Sequence, residues 1–371
     1  MAKSREIVLL TSEFPPGPGG IGQHAWNLAR ELSRHGYYVK VITDGRLDWQ
    51  AEEEVFDSAQ PFELIRARRS RGRLMGIVHR LLLFLWAWCK ANSTYPIIVS
   101  GKFPLWFAGF AKCLPLRRRV LAVLHGSEIN YRSGWKRVLT SWALRRCERL
   151  VAVSRFTKSL AQRYVRGKEI VVIPNGFDPE KVQVSGNGKL DGRPALITVG
   201  SISPRKGQHN VVDALVDLQH AFPEIKYHIV GLPLHGKQLL RRIARLGLQN
   251  RVQVHGALPN SEMVKALKGS DVFLMLSENQ SDGDVEGFGI AILEANACGV
   301  PAIGSRGCGI EDAIADGQSG KVVDPHNPNE IREALCEILD RYDRYSAGAR
   351  QWAARFQWER VIAKYVDIIE S

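Results

Sequence analysis

The chain of 371 residues has few cysteines, no long apolar run and no internal repeat, and each absence excludes a class of protein. Its six cysteines are scattered and form no CxxC pair, which argues against a disulfide framework and against a structural zinc site. The most apolar window, Leu74 to Cys89, is interrupted by His79 and Arg80 and is shorter than the about 20 apolar residues of a transmembrane helix. The sequence therefore predicts a folded globular protein without a membrane-spanning helix.

Acidic residues are also scarce relative to basic ones. The chain has 38 Asp and Glu residues against 51 Lys and Arg residues, so its net charge is +13. This balance indicates an anionic partner, either nucleic acid, a phospholipid surface or a phosphorylated ligand. The length and the 45% hydrophobic content are typical of a soluble protein of two domains. The first apolar run, Ile7 to Leu10, is too short for a signal peptide, and the scattered thiols suit a reducing compartment, so we expect a cytoplasmic protein.

Strand and helix patterns alternate along the chain. Glu6 to Ser12 predicts a strand, Ile21 to His35 a helix and Tyr37 to Thr43 a second strand, which together make a βαβ unit. The alternation restarts at Ala195, after a segment rich in glycine and proline. This pattern predicts an α/β protein with two doubly wound parallel sheets and a ligand site in the cleft between the two domains. The predicted parts are an N-terminal domain over 1–178, a linker over 179–194 and a C-terminal domain over 195–355.

A glycine-rich loop precedes the first helix. Gly17, Gly19 and Gly22 form a literal GxGxxG, and Asp44 ends the next strand, as in a dinucleotide-binding fingerprint. Four residues separate the first strand from Gly17, however, and Pro18 stands where the backbone has to approach a pyrophosphate. Three interpretations remain: a phosphate or substrate contact at a helix N-terminus, a structural turn, or an NAD site.

Two further motifs lie in the second half of the chain. Arg205 and Lys206 precede a predicted helix, where basic residues make sense chiefly if an anion lies between them and the helix; the alternative is a solvated turn. Glu286 and Glu294 are eight residues apart, about 12 Å along a helix, which is too far for a glycosidase acid/base pair. They are either contacts to two ends of one long ligand or ordinary solvated carboxylates.

Asp282 and Asp284 are spaced like carboxylates that share a divalent cation, although a solvated acidic loop is the favoured explanation. His125 directly follows the predicted strand Val120 to Leu124, where α/β domains present ligand contacts. A single histidine in such a place is also compatible with a purely structural role.

Taken together, the motifs resemble glycosyltransferase family 4, the retaining transferases of GT-B fold. The matching elements, in chain order, are Gly19-Gly20, His125-Gly126, Pro174-Asn175-Gly176, Lys206-Gly207 and the pair Glu286 and Glu294. The resemblance covers essentially the whole chain. It implies two Rossmann-like domains, with a nucleotide sugar held mainly by the C-terminal one. It also implies that a last helix, within 356–371, crosses back to the first domain.

The resemblance also implies roles for single residues. Glu294 would bind the ribose, Glu286 the hydroxyls of the donor sugar and Lys206 the diphosphate. His125 would face the donor sugar, so the implied catalytic residues are His125, Glu286 and Lys206. The further donor contacts that it implies are Gly19, Gly20, Arg205, Gly287, Phe288 and Gly289. The family commonly has arginine where this chain has Ser201, and Arg205 is the candidate to supply that charge.

The function implied is transfer of a sugar from GDP-mannose or a UDP-sugar to an acceptor hydroxyl, with retention and without a metal or another cofactor. Such a transferase would serve the synthesis of cell-surface polysaccharide, lipopolysaccharide or glycolipid. Two alternatives remain from the residues alone. An NAD-dependent oxidoreductase would use Gly17 to Gly22 and Asp44, and a non-enzymatic nucleic-acid-binding protein would account for the charge.

A basic segment followed by an apolar one suggests a peripheral association with the cytoplasmic face of a membrane. The apolar stretch Leu74 to Cys89 contains Trp86 and Trp88, and arginines near an anionic surface contribute about 1 kcal/mol each. The alternative is a core helix whose basic loop is in water. The arginines concerned are Arg66, Arg68, Arg69, Arg71 and Arg73.

Overall fold

The computed structural model describes residues 5–67, 73–131, 134–186 and 188–371. The chain forms two compact units. The first contains Met1–Gly176 together with Trp358–Ser371, and the second contains Phe177–Gln357. The predicted linker, 179–194, is therefore part of the second unit.

The first unit is built on a parallel sheet of seven strands in the order β3-β2-β1-β4-β5-β6-β7. The sheet winds in opposite directions from the neighbours β1 and β4, which creates a crevice at their carboxyl ends. Its central strands are almost wholly apolar because both faces are covered. The strands are β1 (Glu6–Thr11), β2 (Tyr38–Asp44), β3 (Glu63–Ala67), β4 (Ile97–Ser100), β5 (Val120–Leu124), β6 (Arg149–Ala152) and β7 (Val171–Val172).

Six helices connect these strands. They are α1 (Gly20–Arg34), α2 (Gln50–Ser58), α3 (Arg73–Lys90), α4 (Lys102–Ala111), α5 (Trp135–Arg146) and α6 (Arg155–Gln162), with a 3-10 turn at Leu47–Trp49. Helix α1 buries Ala25, Leu28, Ala29 and Leu32 on one face, as the sequence period predicts. It ends before Gly36, whose φ of 81° is a left-handed conformation that glycine adopts without strain.

The second unit has a parallel sheet of six strands in the order β10-β9-β8-β11-β12-β13, with its reversal point between β8 and β11. The strands are β8 (Ala195–Val199), β9 (Lys226–Val230), β10 (Val252–Gly256), β11 (Val272–Met275), β12 (Ala302–Ser305) and β13 (Gly320–Val323). The helices are α7 (Gln208–Ala221), α8 (Gly236–Arg245), α9 (Asn260–Lys268), α10 (Ile290–Ala297), α11 (Pro328–Asp340) and α12 (Tyr342–Ala353). Short 3-10 turns occur at Pro179–Val182, Pro204–Lys206, Gly309–Ala313 and Ala354–Phe356.

The last helix, α13 (Trp358–Glu370), belongs to the first unit and packs against α1. It buries Trp358, Val361, Ile362 and Tyr365 on one face. A side chain at Gly176 would collide with the Trp358 ring, so the glycine of the Pro174-Asn175-Gly176 motif makes room for this helix.

Two strands, β3 and β13, are not predicted by the sequence pattern. Both lie at a sheet edge, and most of their residues are half-buried, so neither has the continuous apolar run of a central strand. Among the described residues, no helix is both long and apolar enough to cross a membrane.

Candidate functional site

The turn after β8 presents two cations of the second unit. Arg205 and Lys206 lie on the 3-10 turn Pro204–Lys206, and Gly207 follows with φ of 70° before α7 begins. A side chain at Gly207 would collide with the Leu276 carbonyl oxygen, and its φ also favours glycine. The turn therefore needs glycine at position 207 to pack closely against the end of β11. This close packing places Arg205 and Lys206 at the carboxyl edge of the sheet.

Both cations converge on Glu286. The Nζ of Lys206 lies 2.8 Å from Oε2 of Glu286, and Nη1 of Arg205 donates to the same oxygen. The Nε of Arg205 also donates to Oδ2 of Asp284 at 3.0 Å. The structure thus brings the basic pair Arg205 and Lys206 together with Glu286, although the two motifs lie about 80 residues apart in the sequence.

Glu286 is ionised in this setting. Burial raises the pKa of its carboxyl, but the charges of Lys206 and Arg205 lower it, and the net direction is below the usual 4.5. One buried carboxylate is thus paired with two cations. A phosphate bound here would interact with the same two cations, Arg205 and Lys206.

The two glutamates do not lie on one helix. Helix α10 begins at Ile290, so Glu286 is in the preceding loop and only Glu294 is helical. The expected 12 Å helical spacing is therefore wrong. Burial raises the pKa of Glu294, and the charges of Lys181 and Lys206 partly offset this rise. Lys206 thus acts electrostatically on both glutamates.

The three residues after Glu286 shape the loop. A side chain at Gly309 would collide with the Gly287 carbonyl, and Gly289, with φ of 95°, starts α10. The Phe288 side chain is only 1% exposed and packs against Phe356 at 5.9 Å between ring centroids. The Phe288 side chain therefore belongs to the core of the second unit, and only the backbone of this residue is placed to contact a ligand.

The acidic loop before Glu286 offers no metal cage. The backbone N–H of Asp284 donates to Oδ1 of Asp282, and the Asp284 carboxylate is paired with Arg205. Across the described ranges, no group of three or more His, Cys, Asp or Glu side chains is placed to hold a metal ion.

In the first unit, His125 directly follows β5. Its Nε2 is 2.9 Å from Oγ of Ser100, the last residue of β4. Burial lowers the pKa of His125 to about 3, so the imidazole is neutral at physiological pH. It can therefore accept or donate a hydrogen bond but supplies no positive charge.

A second histidine, which the sequence analysis missed, packs on the first. The rings of His24 and His125 meet edge to face at 5.0 Å between centroids. The Nε2 of His24 is 2.9 Å from the hydroxyl of Tyr365 on α13, and Trp358 packs on the same ring. The signal available in the sequence was weak, since His24 is one polar residue on the apolar face of α1.

The glycine-rich loop ends at the N-terminus of α1. Gly19, with φ of 154°, precedes the helix, and Glu13 occupies the space that a side chain at Gly19 would need. No atom lies within 4 Å of the corresponding position at Gly20, so this helix terminus is open on that side. Asp44, the acid of the dinucleotide interpretation, is instead paired with Arg80 at 2.5 Å.

A cavity of about 870 Å³ opens at the carboxyl ends of β1, β2, β4 and β5. This place is the reversal point of the sheet, where doubly wound proteins bind ligands. The cavity has aromatic walls, charged groups of both signs and one fully buried carboxylate, Glu128. Six of its lining residues are Phe14, Arg46, Trp49, Lys102, Trp106 and Glu128.

Arg66 does not belong to a membrane-facing basic cluster. Its side chain is 8% exposed and forms ion pairs with Glu53 and Asp57. The expectation is wrong for this residue because its charge is neutralised inside the first unit. Arg68, Arg69 and Arg71 lie outside the described residues.

Helix α3 is neither a fully buried core helix nor a wholly exposed one. Phe84 and Trp88 are completely buried, while eight other apolar residues of the helix are exposed. We call these eight the outer apolar face: Leu74, Met75, Ile77, Val78, Leu81, Leu82, Leu85 and Trp86.

Comparison with known proteins places this geometry in a family. The family model described as "Glycosyltransferase Family 4" matches residues 18–181, and "Glycosyl transferases group 1" matches residues 180–352. The chain is 28% identical over 393 residues to the GDP-mannose-dependent alpha-(1-6)-phosphatidylinositol monomannoside mannosyltransferase of Mycolicibacterium smegmatis, covering 98% of each protein. It is 31% identical over 183 residues to the D-inositol 3-phosphate glycosyltransferase of Corynebacterium urealyticum, covering 47% of this chain and 42% of that protein.

Solved structures share the fold at lower identity. HepE from Anabaena, in complex with UDP and glucose, superposes with a TM-score of 0.78 at 20% identity, covering 98% of this chain and 99% of that one. Sucrose-phosphate synthase from Thermosynechococcus elongatus superposes with a TM-score of 0.78 at 17% identity, covering 98% of both chains. The family assignment supersedes the oxidoreductase and nucleic-acid-binding alternatives. With family models spanning residues 18–352 and two doubly wound units, the chain belongs to glycosyltransferase family 4 and is a glycosyltransferase of GT-B fold.

Proposed function

We propose that this glycosyltransferase transfers mannose from GDP-mannose to a hydroxyl of a membrane glycolipid, with retention at the anomeric carbon. The observation that carries the proposal is the cluster of Arg205, Lys206 and Glu286 in the second unit. The choice of GDP-mannose rests on the relatives that use it and on the resemblance of Asp284-Val-Glu-Gly-Phe-Gly to several GDP-mannose users. A UDP-sugar is the alternative donor.

Donor binding would exchange one ion pair for another. In the unliganded cluster, Lys206 and Arg205 neutralise Glu286. A diphosphate carries more charge than one carboxylate, so it attracts the same cations and releases oxygens of Glu286 for the sugar hydroxyls. Glu294, whose pKa is raised by burial, would then accept hydrogen bonds from the ribose.

The leaving group would be stabilised by fixed protein charge rather than by a metal. As the bond between the anomeric carbon and the diphosphate oxygen breaks, negative charge grows on the diphosphate, and Lys206 and Arg205 stabilise that charge most in the transition state. The acceptor oxygen attacks the same face of the sugar, and its proton goes to the departing diphosphate. From the first unit, Gly19 and Gly20 at the start of α1 and the neutral His125 would add hydrogen bonds to the donor.

The acceptor proposal rests on the outer apolar face of α3. Leu74 is 75% exposed, Met75 67% and Leu82 59%, so this face presents a continuous apolar surface on a strongly basic protein. Apolar insertion combined with attraction to anionic lipid is the pair of signals that gives stable peripheral association. We therefore propose that α3 lies on an anionic membrane surface and that the acceptor is a lipid in that membrane.

Two experiments test these proposals. GDP-mannose, UDP-glucose and UDP-galactose, each radiolabelled, are compared for hydrolysis and for transfer to lipid; turnover of GDP-mannose alone supports the donor, whereas turnover of no nucleotide sugar contradicts the function. The membrane proposal is tested by flotation with anionic vesicles. Wild type should float with the vesicles, while a variant that combines Leu74→Gln, Met75→Gln and Leu82→Gln should stay in the soluble fraction. The matched control, Leu234→Gln with Leu240→Gln, removes exposed apolar residues of the second unit and should float like wild type. Equal flotation of the triple variant contradicts the membrane proposal.

A further inference from the structure

Glu128 is a buried carboxylate with an unused oxygen. Its residue exposure is 5%, and Oε1 accepts a hydrogen bond from the His125 backbone N–H at 2.5 Å. Oε2 is fully buried and has no hydrogen-bond partner in the part of the chain that the structure describes. A buried acceptor without a donor is costly, so its retention needs an explanation.

The position of Glu128 supplies that explanation. It lines the cavity of about 870 Å³ in the first unit, three residues after His125. The bond to the His125 backbone fixes one oxygen, so the carboxylate cannot turn away from the cavity without losing that bond. The unpartnered oxygen is therefore fixed at the wall of the cavity, and a hydroxyl that displaces the atoms now covering it can donate to it.

The other walls of the cavity indicate the chemistry of that molecule. Trp49 and Trp106 are the apolar walls. Arg46 lies over the Trp49 ring at 5.6 Å and Lys102 over the Trp106 ring at 5.8 Å, and neither cation forms an ion pair with a described carboxylate. The guanidinium of Arg46 lies against Gly17, in space that a side chain there would fill. Flat apolar walls with one hydroxyl acceptor and two available cations fit a polyol or sugar head group better than a simple ion.

We propose that Glu128 binds the acceptor by accepting a hydrogen bond from one of its hydroxyl groups at Oε2. This inference rests on the proposed function, because it assigns the acceptor of that transferase to the first unit. Glu128 orients the acceptor and is not consumed: the acceptor oxygen forms the new bond to the anomeric carbon, and its proton goes to the departing diphosphate.

The electrostatics make the interaction depend on pH. Burial raises the pKa of Glu128, the backbone N–H groups of His125, Glu128 and Gly126 oppose this rise, and the charge of Glu13 adds to it. The other charged groups around the cavity are the Asp44–Arg80 pair, Arg46, Asp48 and Lys102, while His125 stays neutral. Since the carboxylate is the better acceptor, acceptor binding should weaken as the pH falls through the raised pKa of Glu128.

The test separates acceptor use from donor use in the full-length protein. The probe acceptor is octyl α-mannoside, and donor use is measured as hydrolysis of GDP-mannose in its absence. Glu128→Gln keeps the volume and an oxygen for the His125 N–H but removes the charge. It should lower kcat/KM for octyl α-mannoside about tenfold or more, while the rate of donor hydrolysis stays within twofold. In wild type, kcat/KM for the acceptor should fall at low pH, as Glu128 becomes protonated. This fall should be absent in Glu128→Gln.

Glu148→Gln is the matched control. Glu148 accepts the backbone N–H of Val120 at the opposite end of β5 and pairs with Lys112, so this substitution removes a carboxylate charge from a strand end away from the cavity. It should leave both activities and the pH profile unchanged. Equal acceptor kcat/KM in wild type and Glu128→Gln overturns the inference, as does an equal loss of donor hydrolysis in that variant. If wild type neither hydrolyses nor transfers from any nucleotide sugar, the proposed function itself fails.

Discussion

Lys206→Ala tests the ion-pair exchange at the centre of the proposed donor site. Lys206 lies 2.8 Å from Glu286 and is 16% exposed, so its charge is partly sheltered from water. The substitution removes one of the two cations that hold Glu286 and that we assign to the diphosphate. It should therefore weaken nucleotide binding, lower turnover and alter the acid stability of the protein.

The magnitude follows from what each state loses. A charge-assisted contact to the diphosphate contributes about 1.5 to 3 kcal/mol, equivalent to about 10- to 150-fold in Kd. The free wild-type protein also gives up the pair between Lys206 and Glu286 when the donor binds, and the variant does not. The observed loss should therefore fall at the low end, about tenfold, because Arg205 remains in both proteins.

The stability effect has a defined direction. The pKa of Glu286 is lowered in the folded protein, so its ionisation stabilises the fold above the ordinary pKa of 4.5, and this contribution is lost as the pH falls through the folded pKa. Lys206→Ala reduces the lowering of that pKa. Acid unfolding of the variant should therefore begin at a higher pH than in wild type.

Calorimetric titration with GDP measures the binding, and circular dichroism from pH 7 to pH 3 measures the stability. Lys321→Ala is the control, since it removes a partly exposed pair with Glu337 at 2.9 Å that contributes about 1 kcal/mol. Unchanged GDP affinity in Lys206→Ala, with the protein folded, refutes the assignment of Lys206 to the diphosphate.

Three further predictions concern other parts of the molecule. Glu294→Ala should mainly weaken nucleotide binding and Glu286→Gln should mainly lower kcat, because one contacts the unreacting ribose and the other the reacting sugar; equal effects of both on GDP affinity in steady-state kinetics and titration contradict this division. Activity should persist in EDTA, and full dependence on added Mn²⁺ or Mg²⁺ would instead implicate the Asp282 and Asp284 loop. Tyr365→Phe should destabilise the first unit by about 1 to 3 kcal/mol in urea unfolding, because buried His24 loses the partner of its Nε2; an unchanged midpoint rules out that contribution.

The alternation of strands and helices was readable from the sequence because it depends on local periodicity. Buried parallel strands need continuous apolar residues, and α1 needs an apolar residue every three to four positions, so both patterns are visible without a partner. The edge strands β3 and β13 were missed for the same reason, since a half-buried edge strand carries little of that signal.

The candidate site was predicted only in part. Glycines and charged residues at the ends of strands identified the regions of His125, Lys206 and Glu286. The sequence did not reveal that Lys206 and Arg205 both pair with the same oxygen of Glu286. Glu286 lies 80 residues after Lys206 in the chain. The spacing of about 12 Å assumed a helix through both Glu286 and Glu294, and the sequence does not fix where that helix starts because the first turn of a helix has no distinctive periodicity.

By itself the sequence determined the α/β class, the family and the positions of the motif residues, all of which follow from short patterns and their order along the chain. Only the tertiary structure decided the partners of those residues. The bond between His24 and Tyr365 joins residues 341 positions apart, and Arg66 is neutralised by carboxylates of another element. Hydrogen bonds and ion pairs act over a few ångströms in space. Which groups meet at that range, and which, like Oε2 of Glu128, remain without a partner among the described residues, depends on how the sheets and helices pack.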